Sequence, residues 1–312
     1  MSSLVVTHLD LDGIVCAAIV IRTLKRVVDD VTTLCRFSSV SAIPKMMERA
    51  LREAEVLSVD RVFICDLCPQ PHTIPYIAKV VTDFVKQGIE VTWIDHHSWS
   101  PEVRKKLSIE GVTLVVNSEK NSCAEVVAEY LAKDHTLDLF TNYLIELARD
   151  SDTGTHSMEM SYIIDKVLKW FNDMKLRYKL LNYFITGQID EKYLRELAEK
   201  VEPEYSRYLA KALENVNILE VEGHEVVITK VPTSRILVSD IKRLIEEKYP
   251  DAVLYIIVRP EEMKATLVSK VLDVASIARK LGGGGHKNVA AVPYDAQIQW
   301  KLLKMLREVL KQ

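Results

Sequence analysis

Glycine and proline are both scarce. Ten of each in 312 residues exclude a collagen-like or low-complexity chain. Cysteine is scarcer still: five residues, an odd number, do not make the disulfide framework of a small secreted domain. No apolar run approaches the ~18 residues of a membrane-crossing helix. The longest candidate, Ile14–Ile21, reads as a buried helix. Leu4-Val5-Val6-Thr7 is β-prone and has neither a basic leader nor a small-residue cleavage site beside it, so the expected location is cytoplasmic, with no membrane partner. Charge of one sign is also lacking. Against 44 acidic side chains stand 41 lysines and arginines, a net charge of -3, which excludes a uniformly basic nucleic-acid coat but not a local basic stripe. What is present is apolar material, 48% of the chain, enough to bury real cores in a length that suits about two domains.

From residue 1 to about 155, short β-branched runs alternate with helical periods. The runs are Leu4–Thr7, Val31–Phe37, Val62–Cys65, Val91–Ile94 and Val112–Val116. Such short, mostly apolar runs suit strands covered on both faces, which predicts an α/β fold with a mostly parallel, doubly wound sheet. The intervening helices are expected at Gly13–Val27, Ala42–Ala54, Thr73–Gln87 and Cys123–Lys133, the last with Ser122 and Glu125 spaced as a capping box. Residues 156–220 read as a helical connector, broken at Gly187-Gln188-Ile189-Asp190. Strand signals return at Glu225–Val231, Val253–Val258 and Lys264–Ser269. With helices near Asp240–Lys248 and Asp273–Lys280 and after Pro293, they predict a smaller α/β domain over 221–312.

Acids and histidines gather where apolar runs end. The first strand runs into His8-Leu9-Asp10-Leu11-Asp12-Gly13. At ~3.3 Å per residue, alternate positions of an extended segment face the same way, so His8, Asp10 and Asp12 are expected to point together. Val62–Cys65 ends in Asp66, Val91–Ile94 ends in Asp95-His96-His97, and a helical stretch, Tyr143–Ala148, ends in Asp150-Ser151-Asp152-Thr153-Gly154. Parallel strands would bring the first three clusters to one rim, where ligands bind in open α/β sheets. One aspartate at a strand end is ordinarily a turn or a helix cap. Several carboxylates packed together are costly without a cation, and successive strand ends strain the capping explanation. Carboxylates with imidazoles and no thiolate suit Mn²⁺ or Mg²⁺ better than Zn²⁺. The ligand count exceeds the need of one ion, and two ions ~3.5–4 Å apart would use it.

These residues, with the glycine run at 282–285, make the chain similar to the DHH phosphoesterase family. The resemblance implies a DHH domain, a smaller DHH-associated domain and two Mn²⁺ ions, with Mg²⁺ as the alternative. By position it implies His8, Asp10, Asp12, Asp66, His96 and Asp152 as ligands, with Asp66 bridging. Between Asp150 and Asp152, the Asp-Thr-Gly match favours the latter. Asp95 is implied as the acid that orients its neighbours, and His97 as the residue facing phosphate. The His8-x-Asp10-x-Asp12-Gly13 spacing looks more like RecJ-type and archaeal single-strand exonucleases than like the pyrophosphatase branch.

Gly282-Gly283-Gly284-Gly285-His286-Lys287 should end the helix before it and let backbone N–H groups form an anion-binding nest. The matching family element implies a grip on phosphate or nucleotide by Gly283, Gly284, Gly285, His286 and Lys287, assisted by Arg279. Relatives often place Arg-Ser on the preceding strand; here Thr266-Leu267-Val268-Ser269-Lys270 offers only Lys270, a point charge without a bidentate fork. Three weaker signals remain. Cys65-x-x-Cys68 has zinc-ligand spacing but no second pair, and reads as incidental thiols. Lys166–Tyr183 mixes basic and aromatic residues in a way that could track a single strand, although packing is the commoner use. His156 is either near the leaving group or a loop histidine.

The expected activity is thus Mn²⁺-dependent phosphodiester hydrolysis by two-metal-activated water, on single-stranded DNA or RNA, as an exonuclease. The alternative is a small substrate: nanoRNA, a cyclic dinucleotide or 3′-phosphoadenosine 5′-phosphate. A non-catalytic replication or repair scaffold comes third, because every ligand position is filled. Expected partners are single-stranded nucleic acid or a short oligonucleotide, with a repair or replication protein and a homo-oligomer left open.

Overall fold

A computed structural model of the chain describes residues 2–27, 32–133 and 136–310. Val31, expected to open the second strand, lies outside them, as do the outermost positions of the expected spans 1–155 and 221–312. The chain divides into two compact units, Met1–Leu168 with Asp173–Lys192, and Lys169–Asn172 with Tyr193–Gln312. The helices expected within 156–220 are shared between the two.

The first unit is built on a five-stranded sheet in the order β2-β1-β3-β4-β5, with every neighbouring pair parallel. Its strands are β1 (Ser2–Thr7), β2 (Thr32–Phe37), β3 (Arg61–Cys65), β4 (Glu90–Asp95) and β5 (Val112–Val116). Leu4, Val6, Val62, Ile64, Val91 and Trp93 face a core shared with α2 (Ile43–Val56), α3 (Ile74–Lys86) and α4 (Pro101–Leu107). The other face is covered by α1 (Leu11–Val27), which packs in turn against α5 (Cys123–Ala132), α6 (Leu139–Asp152) and α8 (Met174–Thr186). Sandwiched in this way, α1 is apolar almost all round, and residues 11–21 are buried throughout. Helix α7 (Glu159–Phe171) follows the Asp-Thr-Gly turn. Helix α4 was not foreseen; Ser100 caps it, with its Oγ accepting from Val103 N at 3.3 Å and Pro101 at the first position.

The second unit holds a six-stranded mixed sheet, β10-β11-β9-β8-β7-β6. Its elements are α9 (Glu191–Glu214), β6 (Val216–Val221), β7 (His224–Lys230), α10 (Val238–Lys248), β8 (Leu254–Arg259), β9 (Lys264–Val268), α11 (Val274–Lys280), β10 (Gly284–Gly285), β11 (Val289–Pro293) and α12 (Ala296–Leu310). Helices α11 and α12 pack on one face through Ile277, Leu281, Leu302 and Leu306. Helices α9 and α10 pack on the other through Val201, Tyr205, Ile241 and Ile245. Strands β6, β10 and β11 were not anticipated. The hairpin from β6 to β7 turns on Glu222 and Gly223, with φ of 52° and 79°, the two left-handed residues that match the strand twist.

Candidate metal centre

In an all-parallel sheet every strand's carboxyl end opens on one rim, and here the direction of winding reverses between β1 and β3. His8 follows β1, Asp66 follows β3, and Asp95 closes β4 ahead of His96 and His97, so the three clusters share that rim. Asp152 arrives from the last turn of α6. The turn into α1 is fixed locally. Thr7 Oγ1 donates to the Gly13 carbonyl at 2.8 Å, and Gly13 N–H donates to Asp10 Oδ1 at 3.0 Å. A Cβ on Gly13 would stand 2.5 Å from the His8 carbonyl oxygen, so glycine is required for this close approach. Asp66 has a left-handed φ of 57°, which aspartate adopts more readily than most residues.

The ligand atoms fall into two sets, and a third group, Asp66, Asp95, His96 and His97, overlaps both through Asp66 and His96. Those of His8, Asp10 and Asp66 lie within 4.8 Å of one another, and so do those of Asp12, His96 and Asp152. Asp66 links the sets: its Oδ2 is 3.7 Å from His8 Nδ1, and its Oδ1 is 3.6 Å from His96 Nε2. His96 Nε2 is also 3.4 Å from Asp152 Oδ2 and 4.0 Å from Asp12 Oδ2. The extended-strand argument for Asp12 is corrected here. Because α1 begins at Leu11, Asp12 lies in a helical turn and faces the second set, away from the His8–Asp10 pair.

Crowding of like charge shows in the protonation equilibria. Burial, followed by the charges of Asp10 and Asp12, pushes the Asp66 carboxyl well above its ordinary value. Burial and the Asp10 charge raise Asp12 to about 7, although the Ala124 and Cys123 amides pull the other way. Burial with Asp12 and Asp10 also raises Asp152. For Asp10 the burial effect is outweighed by the His8 charge and hydrogen bond, and its carboxyl is held below the usual range. The buried Asp66 Oδ2 makes no hydrogen bond. Four carboxylates, two imidazoles and an orphaned buried oxygen make a donor set that fits hard or borderline divalent cations. Among the described residues, no cysteine joins these sets.

Residues 2–149 match the model of the DHH family, N-terminal domain. They belong to the DHH family. Over the whole chain, the fold is similar to that of RecJ in complex with Mn²⁺ from Thermus thermophilus (TM-score 0.63, 15% identity, 99% of this chain and 52% of that one). The chain thus spans about half the length of that RecJ. It is also similar to PggH, a pGpG-specific phosphodiesterase from Vibrio cholerae (TM-score 0.55, 15% identity, 100% of this chain and 99% of that one). A third likeness is to an exonuclease RecJ bound to manganese (TM-score 0.55, 14% identity, 100% of this chain and 90% of that one). At these identities the likeness is one of fold. No curated protein sequence matches the chain.

Within the DHH domain, the remaining acids have other occupations. Asp95 is fully buried, and both oxygens are in use. Oδ1 accepts from the His96 and His97 amides at 2.8 and 3.2 Å and from His97 Nδ1 at 2.8 Å, while Oδ2 accepts from Trp99 Nε1 at 2.6 Å. It therefore orients the histidines. Against the effect of burial, the Asp95 charge and hydrogen bond raise His97 to about 9. Asp150 accepts from Ser157 N and Oγ at 2.9 and 2.6 Å, from Met158 N at 2.9 Å and from Ser161 Oγ. It clamps the loop, and Asp152 is the acid that faces the cluster. His156 Nε2 is held by Asp165 Oδ2 at 2.9 Å, with its ring edge-on to Tyr162.

Sequence reasoning missed two contributors. Arg177 on α8 is buried, and its Nε donates to the Leu9 carbonyl at 2.6 Å. Trp99, four residues after Asp95, carried a readable signal in its spacing; Arg177, more than 160 positions from Leu9, carried none.

The Cys65 thiol is buried and raised well above its ordinary value, and burial pushes Cys68 to about 12, which leaves both inert. Tyr178 lies edge-on to Phe37, Tyr183 donates to Asp190 at 3.0 Å, and Trp170 packs on Tyr205 and Tyr208. These aromatics of the Lys166–Tyr183 stretch are engaged in packing, and Lys166 is buried.

In the second unit, the glycine run differs from the expected nest. Gly282 and Gly283 N–H donate to the Arg279 and Ala278 carbonyls at 3.2 and 2.8 Å, and His286 N–H donates to Val289 O at 2.8 Å. Gly284 and Gly285 form an edge strand against Ala291 and Ala290. A Cβ on Gly283 would meet the Ala291 carbonyl at 2.0 Å, so glycine serves a close backbone passage. His286, Lys287, Arg279 and Lys270 are exposed beside or near this edge.

Proposed function

We propose that the chain is a metal-dependent phosphoesterase that hydrolyses phosphodiester bonds of single-stranded nucleic acid from an end, with Mn²⁺ as the preferred ion. The observation that carries this reading is the pair of ligand sets sharing Asp66: His8 and Asp10 on one side, Asp12, His96 and Asp152 on the other. Divalent cations bound there supply Lewis acidity, making water nucleophilic at neutral pH and offsetting charge on a phosphoryl group.

The chain's own residues do the rest. Asp95 fixes His97 through Nδ1 and leaves Nε2 of the half-exposed ring available. In the metal-free chain burial is outweighed by the Asp95 charge and hydrogen bond, with Asp152 and Asp10 behind them, and His97 is raised to about 9; its proposed role is to present a proton to a phosphoryl or leaving oxygen. The exposed Arg279, Gly284, Gly285, His286 and Lys287 are the proposed contacts for substrate phosphate or nucleotide, with Gly283, whose N–H is taken by the Ala278 carbonyl, shaping the edge.

A dinucleotide or similarly short substrate is the second reading. The fold likeness to PggH, a pGpG-specific phosphodiesterase, supports it at the same TM-score at which the likeness to the manganese-bound exonuclease RecJ supports the first. Both readings are tested by one panel. Metal-free protein is supplied with Mn²⁺ or Mg²⁺ and offered end-labelled single strands of DNA and RNA, di- and trinucleotides, and 3′-phosphoadenosine 5′-phosphate. Stepwise release of mononucleotides from long strands supports the first reading, and turnover of the short pieces alone supports the second. Asp66→Asn should abolish turnover while preserving the circular dichroism spectrum. Undiminished hydrolysis by that variant refutes both.

A further inference from the structure

The two ligand sets of the DHH domain are built differently. Asp12 and His96 are each 1% exposed, and partners outside the set hold them. Asp12 accepts the Cys123 and Ala124 amides, the first two N–H groups of α5, at 2.6 and 2.8 Å. The ring Nδ1 of His96 lies 3.4 Å from the Lys120 carbonyl, and its amide rests on Asp95. Both side chains are therefore set before any cation arrives, and with Asp66 and Asp152 they offer four donors.

The other set has three donors, and two of them are bonded to each other. His8 Nδ1 and Asp10 Oδ2 are 2.5 Å apart, and the two side chains are 28% and 41% exposed. A cation ligated by His8 Nδ1 and Asp10 Oδ2 would displace that hydrogen bond, while Asp10 Oδ1 has a further partner, the Gly13 N–H at 3.0 Å. The turn between the pair is held at the Leu9 carbonyl by Arg177, from a helix beyond the residues matched to the family domain. Ligands oriented by outside partners bind with little reorganisation, whereas ligands that satisfy each other lose an interaction on binding.

We propose that the site loads in order. The Asp12–Asp66–His96–Asp152 position takes a divalent cation tightly. The His8–Asp10–Asp66 position holds the second ion weakly, so the free metal concentration sets how much protein is doubly loaded. This rests on the metal reading given above and adds regulation to it: the second ion acts as a rheostat on the same centre.

The test is titration of the metal-free chain with Mn²⁺ at fixed pH, followed by calorimetry and electron paramagnetic resonance. Two steps are expected, with dissociation constants at least tenfold apart. The spectrum should be mononuclear up to one equivalent and spin-coupled only beyond it. Asp10→Asn should remove the weak step and leave the tight one within about twofold. Arg177→Lys should weaken the second step alone, and Asp152→Asn should weaken the first. A single step of two equivalents in the wild type overturns the proposal, whatever the variants do; so does loss of the tight step in a folded Asp10→Asn protein. A wild-type chain that binds no Mn²⁺ sinks the metal reading itself. Ordered binding of two ions without hydrolysis of any substrate leaves the loading order standing and removes the phosphoesterase.

Discussion

Metal-free protein should lose stability as pH rises from about 4 to 8, the reverse of what ionised surface carboxylates would give. The perturbation is pH in the presence of a chelator. Asp12 is 1% exposed, and its carboxyl is raised from 3.8 to about 7. The folded state thus holds a proton that the unfolded chain releases above about pH 4. The stability this proton confers is complete below that pH and is lost as pH climbs through 7. A shift of this size corresponds to about 4 kcal/mol, at ~1.4 kcal/mol per pH unit. Asp66 and Asp152 are raised as well and act with the same sign. His97, raised from 6.5 to about 9, continues the loss above pH 6.5, but less strongly because it is 42% exposed and screened. Urea unfolding followed by fluorescence at several pH values reads the slope. Saturating Mn²⁺ should reverse it, because ligand deprotonation favours the bound cation. Asp12→Asn should reduce the slope without metal, leaving the part carried by Asp66, Asp152 and His97. A metal-free profile that is flat, or that rises between pH 5 and 8, refutes the electrostatic account of the cluster.

Trp99→Phe leaves the buried Asp95 Oδ2 without its donor. It should cost ~1–3 kcal/mol of stability and lower metal affinity or turnover ~10–100-fold; unchanged kinetics would show that Asp95 does not need this bond to orient His96 and His97. Gly283→Ala would push a Cβ onto the Ala291 carbonyl and displace the edge strand. If that edge contacts substrate, KM should rise severalfold while Mn²⁺ binding, read by paramagnetic resonance, stays as in the wild type. An unaltered KM with the strand displaced removes the glycine run from the substrate site.

Much of the centre was readable along the chain because parallel sheets confer a simple rule: strand ends meet. Short runs ending in Asp66 and in Asp95-His96-His97 therefore declare a shared rim in the sequence itself. The capping box at Ser122 and the buried character of Ile14–Ile21 were equally legible, since capping and full burial leave local patterns. The hairpin strand β6 was missed because Val216–Val221 follows a long helical stretch without a break. Its turn at Glu222-Gly223 was the only cue.

The residue types, their order and their local periods determined the class of fold and the kind of chemistry. Tertiary structure decided how the acids are shared out. Asp10 and Asp12 stand two residues apart, yet the start of α1 sends them to different ligand sets. Asp150 and Asp152 are equally close, yet four donors, three from the loop and one from Ser161 in α7, claim the first and leave the second to the centre. Such choices depend on hydrogen-bond partners that arrive from distant segments, as Cys123 does for Asp12 and Arg177 for Leu9. A one-dimensional pattern carries spacing but not the direction in which a side chain is finally held.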